Sequence, residues 1–331
     1  MDLDAYAAAH REEWDELARL GNKRRFTGAE ADQLIERYQS GTSQLSAMKT
    51  TAGQSVQGDR LSLALSRARL RFTGASSNLL SRLPTFFAVH LPAALYRIRW
   101  ITVVVAEASV TIAALYALWA IQNPGVLGVF GTDAERRQYV EHDFVNYYSD
   151  NPGQSFTGFV WTNNAWLAAG CIAFGIVGLY TPYLLFTNAM QLGLTAGLMQ
   201  QYGAIDTFLL YISPHGQLEL YSIFVAGAAG LRIFWAWIAP GPRTRGQALM
   251  EDARALFTVV IGLILALLCS GIIEGFVTRQ DWPWAVKIGI GSAALGAFLV
   301  YQWVIGRIAV RGGATGDLEE FEAGARRIVA G

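Results

Sequence analysis

Charge is the scarcest property of this sequence. Only 16% of its 331 residues are charged, whereas soluble domains contain about 25%. Basic and acidic residues balance at 26 each, so the net charge gives no support to a nucleic-acid partner. Two cysteines exclude a disulfide scaffold, and a hydrophobic content of 53% excludes a disordered chain. The composition leaves a polytopic membrane protein or an unusually apolar soluble one.

Long runs with almost no charge decide between these two classes. The run at 101–121 contains one charged residue, Glu107, and the runs at 159–180 and 182–202 contain none. A helix needs about 20 residues to cross a hydrocarbon core of about 30 Å. Six runs approach that length, which predicts an all-α polytopic membrane protein with about six transmembrane helices. We expect the spans at 100–121, 159–180, 183–203, 216–238, 255–276 and 286–307.

The distribution of basic residues predicts the orientation of these spans. Fourteen of the 26 basic residues lie within residues 1–99, and six spans place both termini on the same side of the membrane. The opposite side receives only Arg136, Arg137, Arg279 and, at its edge, Lys287. Cytoplasmic segments are enriched in lysine and arginine. We therefore expect a multi-pass plasma-membrane protein with cytoplasmic N and C termini.

The chain divides into regions of different character. Residues 1–83 predict a cytoplasmic region of amphipathic helices, in which Thr27 and Glu30 fit a capping box. The apolar face after that box would be formed by Leu34, Ile35, Tyr38 and Leu45. The remaining regions are an interfacial helix at 84–99, a six-span membrane domain at 100–310 with an outer loop at 122–158, and a cytoplasmic tail at 311–331.

Polar residues recur near the outer ends of three predicted spans. Ser213 and Pro214 resemble the N-cap and first residue of a helix. If the helix begins there, Glu219 lies roughly 7 Å below its outer end. Ionisable side chains at membrane depth are costly, so each needs a partner or a function. The predicted outer cluster consists of Asn163, Asn164, His215, Glu219 and Glu274.

The sequence leaves three interpretations of this cluster open. It forms a hydrogen-bonded structural knot, a site for a small solute or ion, or a hydrolytic centre. His215, Glu219 and Glu274 are the candidate ligands if a divalent metal binds, although the sequence does not establish that they converge. No zinc-protease, serine-hydrolase or nucleotide-binding motif is present, so we predict no enzymatic activity, no catalytic residue and no cofactor.

A second set of polar residues is predicted nearer the cytoplasm. It contains Glu107, Asn188 and Arg232. Arg232 lies roughly 24 Å below the predicted outer end of its span, which brings it to a depth where Glu107 is a candidate partner. We therefore hypothesise an ion pair between Arg232 and Glu107.

Several motifs in the membrane domain resemble the stage II sporulation protein M family of bacterial integral membrane proteins. The most specific motif is Pro214-His215-Gly216-x-x-Glu219-Leu220. The others are Phe159-x-x-x-Asn163-Asn164, Phe186-x-Asn188-x-x-x-Leu192-Gly193, Ile273-Glu274-Gly275-Phe276 and the glycine- and arginine-containing segment 240–249. The resemblance extends over about residues 85–310, with departures at Ala189 and Ser222.

The resemblance implies a non-enzymatic membrane protein that organises or regulates cell-envelope partners. Members in endospore formers work with peptidoglycan-degrading partners, and members elsewhere often accompany a MoxR-type AAA ATPase. The alternative function is a transporter or an ion- or proton-coupled permease that uses the outer cluster. Small residues at four-residue spacing, such as Gly193 and Gly197, also leave a homodimer open, because such faces allow helices to approach closely.

Overall fold

The computed structural model describes residues 3–23, 26–52, 55–72, 83–148, 153–242 and 244–316. Every regular element in these ranges is helical, which confirms the all-α prediction. The chain forms two compact units that divide between Leu83 and Pro84. Most of the predicted tail, residues 317–331, lies outside the described residues.

The first unit contains four helices with a hydrophobic core of their own. They are α1 (Leu3–Ala9), α2 (Arg11–Asn22), α3 (Gly28–Ala52) and α4 (Val56–Phe72). The core is formed chiefly by leucines of α2, α3 and α4, including Leu20, Leu34 and Leu61. Tyr38 and Leu45 pack against it as expected, whereas Ile35 is 44% exposed and does not belong to the apolar face.

A capping box starts α3, as the sequence predicts. The Thr27 backbone N–H donates to Glu30 Oε2 at 3.0 Å, and the Glu30 backbone N–H donates to Thr27 Oγ1 at 3.4 Å. Lys23 also bonds to the Glu30 carboxylate. This set of bonds satisfies backbone donors that a helix N-terminus otherwise leaves without partners.

The second unit contains the apolar helices. In chain order they are α5 (Leu91–Arg97), α6 (Arg99–Gln122), α7 (Asp133–Gln138), α8 (Phe144–Asn146), α9 (Gly153–Ala173), α10 (Tyr180–Gln201), α11 (Ile205–Ile238), α12 (Arg245–Ile272), α13 (Trp284–Val300) and α14 (Gly306–Arg311). Four π-helical segments continue these helices: Phe86–His90 before α5, Tyr139–Asp143 between α7 and α8, Ile273–Thr278 after α12, and Tyr301–Ile305 between α13 and α14.

Within the described residues, four helical stretches are long and apolar enough to cross a membrane. They are Arg99–Gln122, Ile205–Ile238, Ala248–Thr278 and Trp284–Arg311. They cover four of the six predicted spans. The predicted spans 159–180 and 183–203 correspond to α9 and α10, which are not among the four, so a six-span topology stays a prediction.

The outward faces of these helices carry apolar side chains, as expected for contact with lipid. On α6, Val104, Val110 and Leu115 are each more than half exposed. A soluble helix of this composition would bury such residues, because exposing them to water costs about 25 cal/mol per Å² of apolar surface. The chain is therefore a membrane protein with several apolar helices that are able to span the bilayer.

The connection between α9 and α10 differs from the prediction. The spans predicted at 159–180 and 183–203 leave only two residues between them, whereas α9 ends at Ala173 and α10 begins at Tyr180. Gly178 has a φ of 72° at the turn, a conformation that glycine adopts at little cost. Pro182 instead lies in the first turn of α10, where a missing N–H does no harm.

The prediction that span four begins at Ser213 and Pro214 is wrong. Helix α11 begins at Ile205 and continues through Pro214 to Ile238, a length of 34 residues. A proline inside a membrane helix is tolerated where neighbouring helices pack closely around it. A Cβ atom added at Gly291 of α13 would lie 2.0 Å from the Pro214 carbonyl oxygen, so the two backbones touch at this point.

Helix α11 lies at the centre of the second unit. It packs against α6, α9, α10, α12 and α13, and its stretch from Ser222 to Gly230 is completely buried. A Cβ atom at Gly230 would lie 2.1 Å from the Cys171 carbonyl oxygen of α9. Because α11 is surrounded by other helices, its residues on either side of this buried stretch also face several helices at once. The candidate site forms among the residues that precede the stretch.

The segment predicted as an interfacial helix also packs within this unit. Residues 86–97 are helical, and Phe86, Leu91 and Leu95 belong to the same hydrophobic core as Val225 of α11 and Val259 of α12. Its position at the membrane interface stays a prediction.

Candidate functional site

Glu274 lies in a segment where the chain changes from α-helix to π-helix. Helix α12 ends at Ile272 and continues as the π-helical segment Ile273–Thr278. Such segments are rare and frequent at functional sites, because the extra residue per turn redirects the side chains. The Glu274 side chain is only 4% exposed and points toward α11.

Helix α11 supplies the other two predicted ligands. His215 and Glu219 are one helical turn apart and therefore share a face. His215 Nε2 lies 3.7 Å from Glu274 Oε1. One ligand atom from each of His215, Glu219 and Glu274 falls within 4.8 Å of the other two. The structure thus brings together three of the five residues of the predicted outer cluster, which we name the His-Glu-Glu cluster.

The two asparagines of the predicted outer cluster have different environments. Asn164 is 9% exposed, and its side-chain amide lies near the Glu219 carboxylate, with which it interacts. Asn163 is exposed on another face of α9. Consecutive helical residues point about 100° apart, so the assignment of both asparagines to one cluster is wrong for Asn163.

Two hydroxyl groups that the sequence analysis missed complete the surroundings of the cluster. Ser270 Oγ donates to the His215 carbonyl at 3.0 Å and to Glu219 Oε2 at 3.5 Å. Thr278 Oγ1 lies 3.5 Å from His215 Nδ1. Ser270 lies one turn before Glu274 and Thr278 one turn after it, and that spacing is the signal that could have identified them.

A cavity of about 500 Å³ lies beside the cluster. Glu219 lines it together with Asn188, Gln191 and Thr195 of α10. The 122–158 loop closes another side with Tyr139, Asp143, Phe144, Tyr147 and Tyr148. Cavities that bind small ligands have this size, with a mainly apolar lining and a few polar groups.

Aromatic residues hold the loop over this cavity. Phe144 and Tyr148 are buried and pack with Phe208 of α11 in a hydrophobic core. The Tyr148 ring also lies 6.0 Å from the His215 ring, centroid to centroid. Burial, reinforced by the nearby Glu274 carboxylate, raises the pKa of Tyr148 well above its ordinary value. The hydroxyl therefore keeps its proton at neutral pH.

The three residues of the predicted inner set do not form one group. Asn188 lines the same cavity as Glu219. Arg232 Nη2 lies 3.3 Å from Asp252 Oδ1 of α12, so the hypothesised pair with Glu107 is wrong. Glu107 is exposed on α6 and forms no ion pair within the described part of the chain. Arg232 pairs with Asp252 rather than with Glu107 because α12 packs along α11 at the level of Arg232.

The cluster has the donor atoms of a metal site. An imidazole nitrogen and two carboxylates are ligands for zinc and related transition ions. The cavity carries the carboxylates of Asp143 and Glu219, while no lysine, arginine or histidine is among its described lining residues. Chemically, the arrangement suits a positively charged ligand.

Family models match both units of the chain. The model described as Stage II sporulation protein M matches residues 100–279, more than half of the chain. A second model, Domain of unknown function (DUF8413), matches residues 4–74. No curated protein and no solved structure matches the chain. The first match includes the α9, α11 and α12 residues of the site and confirms the resemblance drawn from their motifs, and the chain therefore belongs to the stage II sporulation protein M family.

Proposed function

We propose that this chain is a multi-pass plasma-membrane protein that binds a small cation between its helices, in the manner of a transporter or ion-coupled permease. The observation that carries the proposal is the convergence of two buried carboxylates and one histidine beside an acidic cavity. Buried carboxylates without a cation are costly in a low-dielectric region. A bound cation removes that cost.

The cavity provides the route by which a cation reaches the cluster. Asp143 lies on the 122–158 loop, and Glu219 lies both in the cavity wall and in the cluster. Successive negative charges with aromatic walls attract cations and stabilise them after they lose water. With six spans and cytoplasmic termini, this loop faces the outside and the cavity takes cations from that side.

Binding is tested with the full-length protein purified in detergent. Its thermal unfolding is measured with sodium, potassium, magnesium, manganese, zinc or tetramethylammonium, because a ligand that binds only the folded state raises the unfolding temperature. We expect at least one of these cations to stabilise the protein, and Glu219→Gln to abolish that shift.

Asp143 and Glu141 provide a matched pair of controls. Asp143 lines the cavity, whereas Glu141 lies two residues away and does not. Asp143→Asn should weaken cation binding and Glu141→Gln should leave it unchanged. Equal responses of all three variants, or no stabilisation by any cation, would contradict the proposal. Uptake of the stabilising cation into proteoliposomes then separates transport from binding alone.

A second candidate function is the organisation of cell-envelope partners. One observation favours it: the N-terminal helices form a compact unit with their own core and their own family match. A separate cytoplasmic unit is suited to recruit other proteins, including a MoxR-type AAA ATPase, or a second copy of the chain. Cross-linking in membranes tests this role. Partners that depend on residues 1–83 support it, and loss of residues 1–83 should leave cation binding intact.

A further inference from the structure

The His-Glu-Glu cluster has dimensions close to those of a mononuclear metal site. Zinc binds histidine nitrogen and carboxylate oxygen at about 2.0–2.2 Å, which places two ligands of one ion about 3–4 Å apart. His215 Nε2 and Glu274 Oε1 are 3.7 Å apart, and Glu219 completes a set within 4.8 Å. Closing the set around one ion requires the ligand atoms to move closer together than this 4.8 Å limit.

Charge within the cluster points to a dication. Glu274 is 3% exposed, and its Oε2 atom accepts no hydrogen bond from any described residue. Among the described residues, no lysine or arginine pairs with Glu219 or Glu274. An unpartnered buried carboxylate oxygen is unfavourable, because it has lost its hydrogen bonds to water and gained none in the protein. One divalent ion balances two carboxylates and supplies the missing partner.

The groups around the cluster orient its ligands. Thr278 Oγ1 donates its single proton to the Ile273 carbonyl at 3.4 Å. Thr278 Oγ1 also lies 3.5 Å from His215 Nδ1, where it can accept a bond from Nδ1–H in the tautomer whose Nε2 lone pair is directed toward Glu274. Ser270 Oγ, whose shorter bond is to the His215 carbonyl at 3.0 Å, lies 3.5 Å from Glu219 Oε2. Metal-binding histidines and carboxylates are usually held by such second contacts.

We infer that His215, Glu219 and Glu274 bind one zinc ion, which makes zinc the cation of the proposed function, on which this inference rests. The imidazole nitrogen selects zinc over magnesium and calcium, since those ions prefer sites composed of oxygen atoms. Thr278 is a positioning residue that sets the histidine tautomer.

Zinc binding is measured on the full-length protein, purified through a tag without histidine and freed of metal by a chelator. Titration against a zinc indicator is expected to show one tight site per chain. Glu274→Gln, which keeps the shape of the side chain, should weaken zinc binding at least 100-fold. Thr278→Val should weaken it about tenfold, and Thr278→Ser should restore it.

The surface residue His142 provides the control for adventitious binding. It lies on the 122–158 loop and outside the cavity lining, so His142→Ala should retain the tight site. X-ray absorption of the zinc-loaded protein should show one nitrogen ligand of imidazole type and oxygen ligands. Folded Glu274→Gln protein that binds zinc as tightly as the unmodified chain would overturn the inference.

Together, the cation-stabilisation and zinc-binding experiments distinguish a failure of the zinc inference from a failure of the proposed function. Glu274 and His215 do not line the cavity, whereas Asp143 does and is not in the cluster. Stabilisation by another cation that depends on Glu219 and Asp143, without a zinc site, keeps the proposed function and rejects zinc. No stabilisation by any cation rejects both.

Discussion

Single residues in the first unit behave as local rules predict. Thr27 and Glu30 form the predicted capping box without help from distant contacts. Such a box depends only on residues three apart in sequence, so the sequence contains all the information it needs. Ile35 shows the limit of this reasoning. It follows the buried Leu34 but is exposed, because consecutive helical residues point in different directions.

The titration of Glu30 is the prediction at this scale. The Lys23 ammonium group and then the Thr27 backbone N–H lower the pKa of Glu30 from 4.5 to about 2. Because the folded-state pKa lies below the ordinary value, this contribution to stability is complete above about pH 4.5 and is lost as pH falls toward 2. Carbon-13 NMR of the glutamate carboxyls should show one titrating near pH 2 that disappears in Glu30→Gln. A midpoint near 4.5 would contradict the bond pattern.

Helices of the second unit depend on contacts that a linear sequence does not display. The apolar runs predicted α6 and the later spans, but α11 begins at Ile205, nine residues before Pro214, which was predicted as the first residue of the helix. Pro214 is a helix-start signal in isolation. Here it lies inside a helix, at the point where α13 packs closely against its carbonyl through Gly291. The π-helical turn at Glu274 is equally difficult to predict from the sequence, because a glutamate followed by a glycine does not specify a π-helix.

Close helix contacts give a prediction at the scale of an element. A Cβ atom at Gly193 of α10 would lie 2.2 Å from the Ala113 carbonyl oxygen of α6, whereas Gly296 of α13 has no described atom within 4 Å. Gly193→Ala should destabilise the protein by about 1–3 kcal/mol through overpacking. Gly296→Ala should leave thermal unfolding in detergent nearly unchanged. Similar unfolding temperatures for both variants would show that α6 and α10 do not pack this closely.

At the scale of the whole molecule, the sequence predicts a membrane protein with about six spans, and four of these correspond to helices that are long and apolar enough to cross a bilayer. Hydropathy identifies α6, α11, α12 and α13 with their continuations. Helices α9 and α10 contain more polar residues, among them Asn164, Asn188 and Gln191, two of which line the cavity. The polar residues of α9 and α10 lower the hydropathy of these two helices, so they are harder to recognise as spans than α11 and α12, which carry the cluster.

Labelling of the turn between α9 and α10 decides between six spans and four. Val177 is 59% exposed in that turn. In a background of Cys171→Ala and Cys269→Ser, we expect Val177→Cys to react with a membrane-impermeant maleimide only after cells are opened, because six spans put the turn in the cytoplasm. Reaction on intact cells would establish four spans. Glu141→Cys and Arg60→Cys report the outer and inner sides in both arrangements.

Helices α11 and α12 are joined at two distant levels. The Arg232–Asp252 ion pair links them at one level, and the His-Glu-Glu cluster links them at the other. Along α11 the two levels are separated by roughly 25 Å. Between these levels the two helices share one hydrophobic core, which includes Val225 and Val259. A ligand bound at the cluster would therefore act as a cross-link at one end of an interface that is already closed at the other end, and its binding should make α11 and α12 harder to separate.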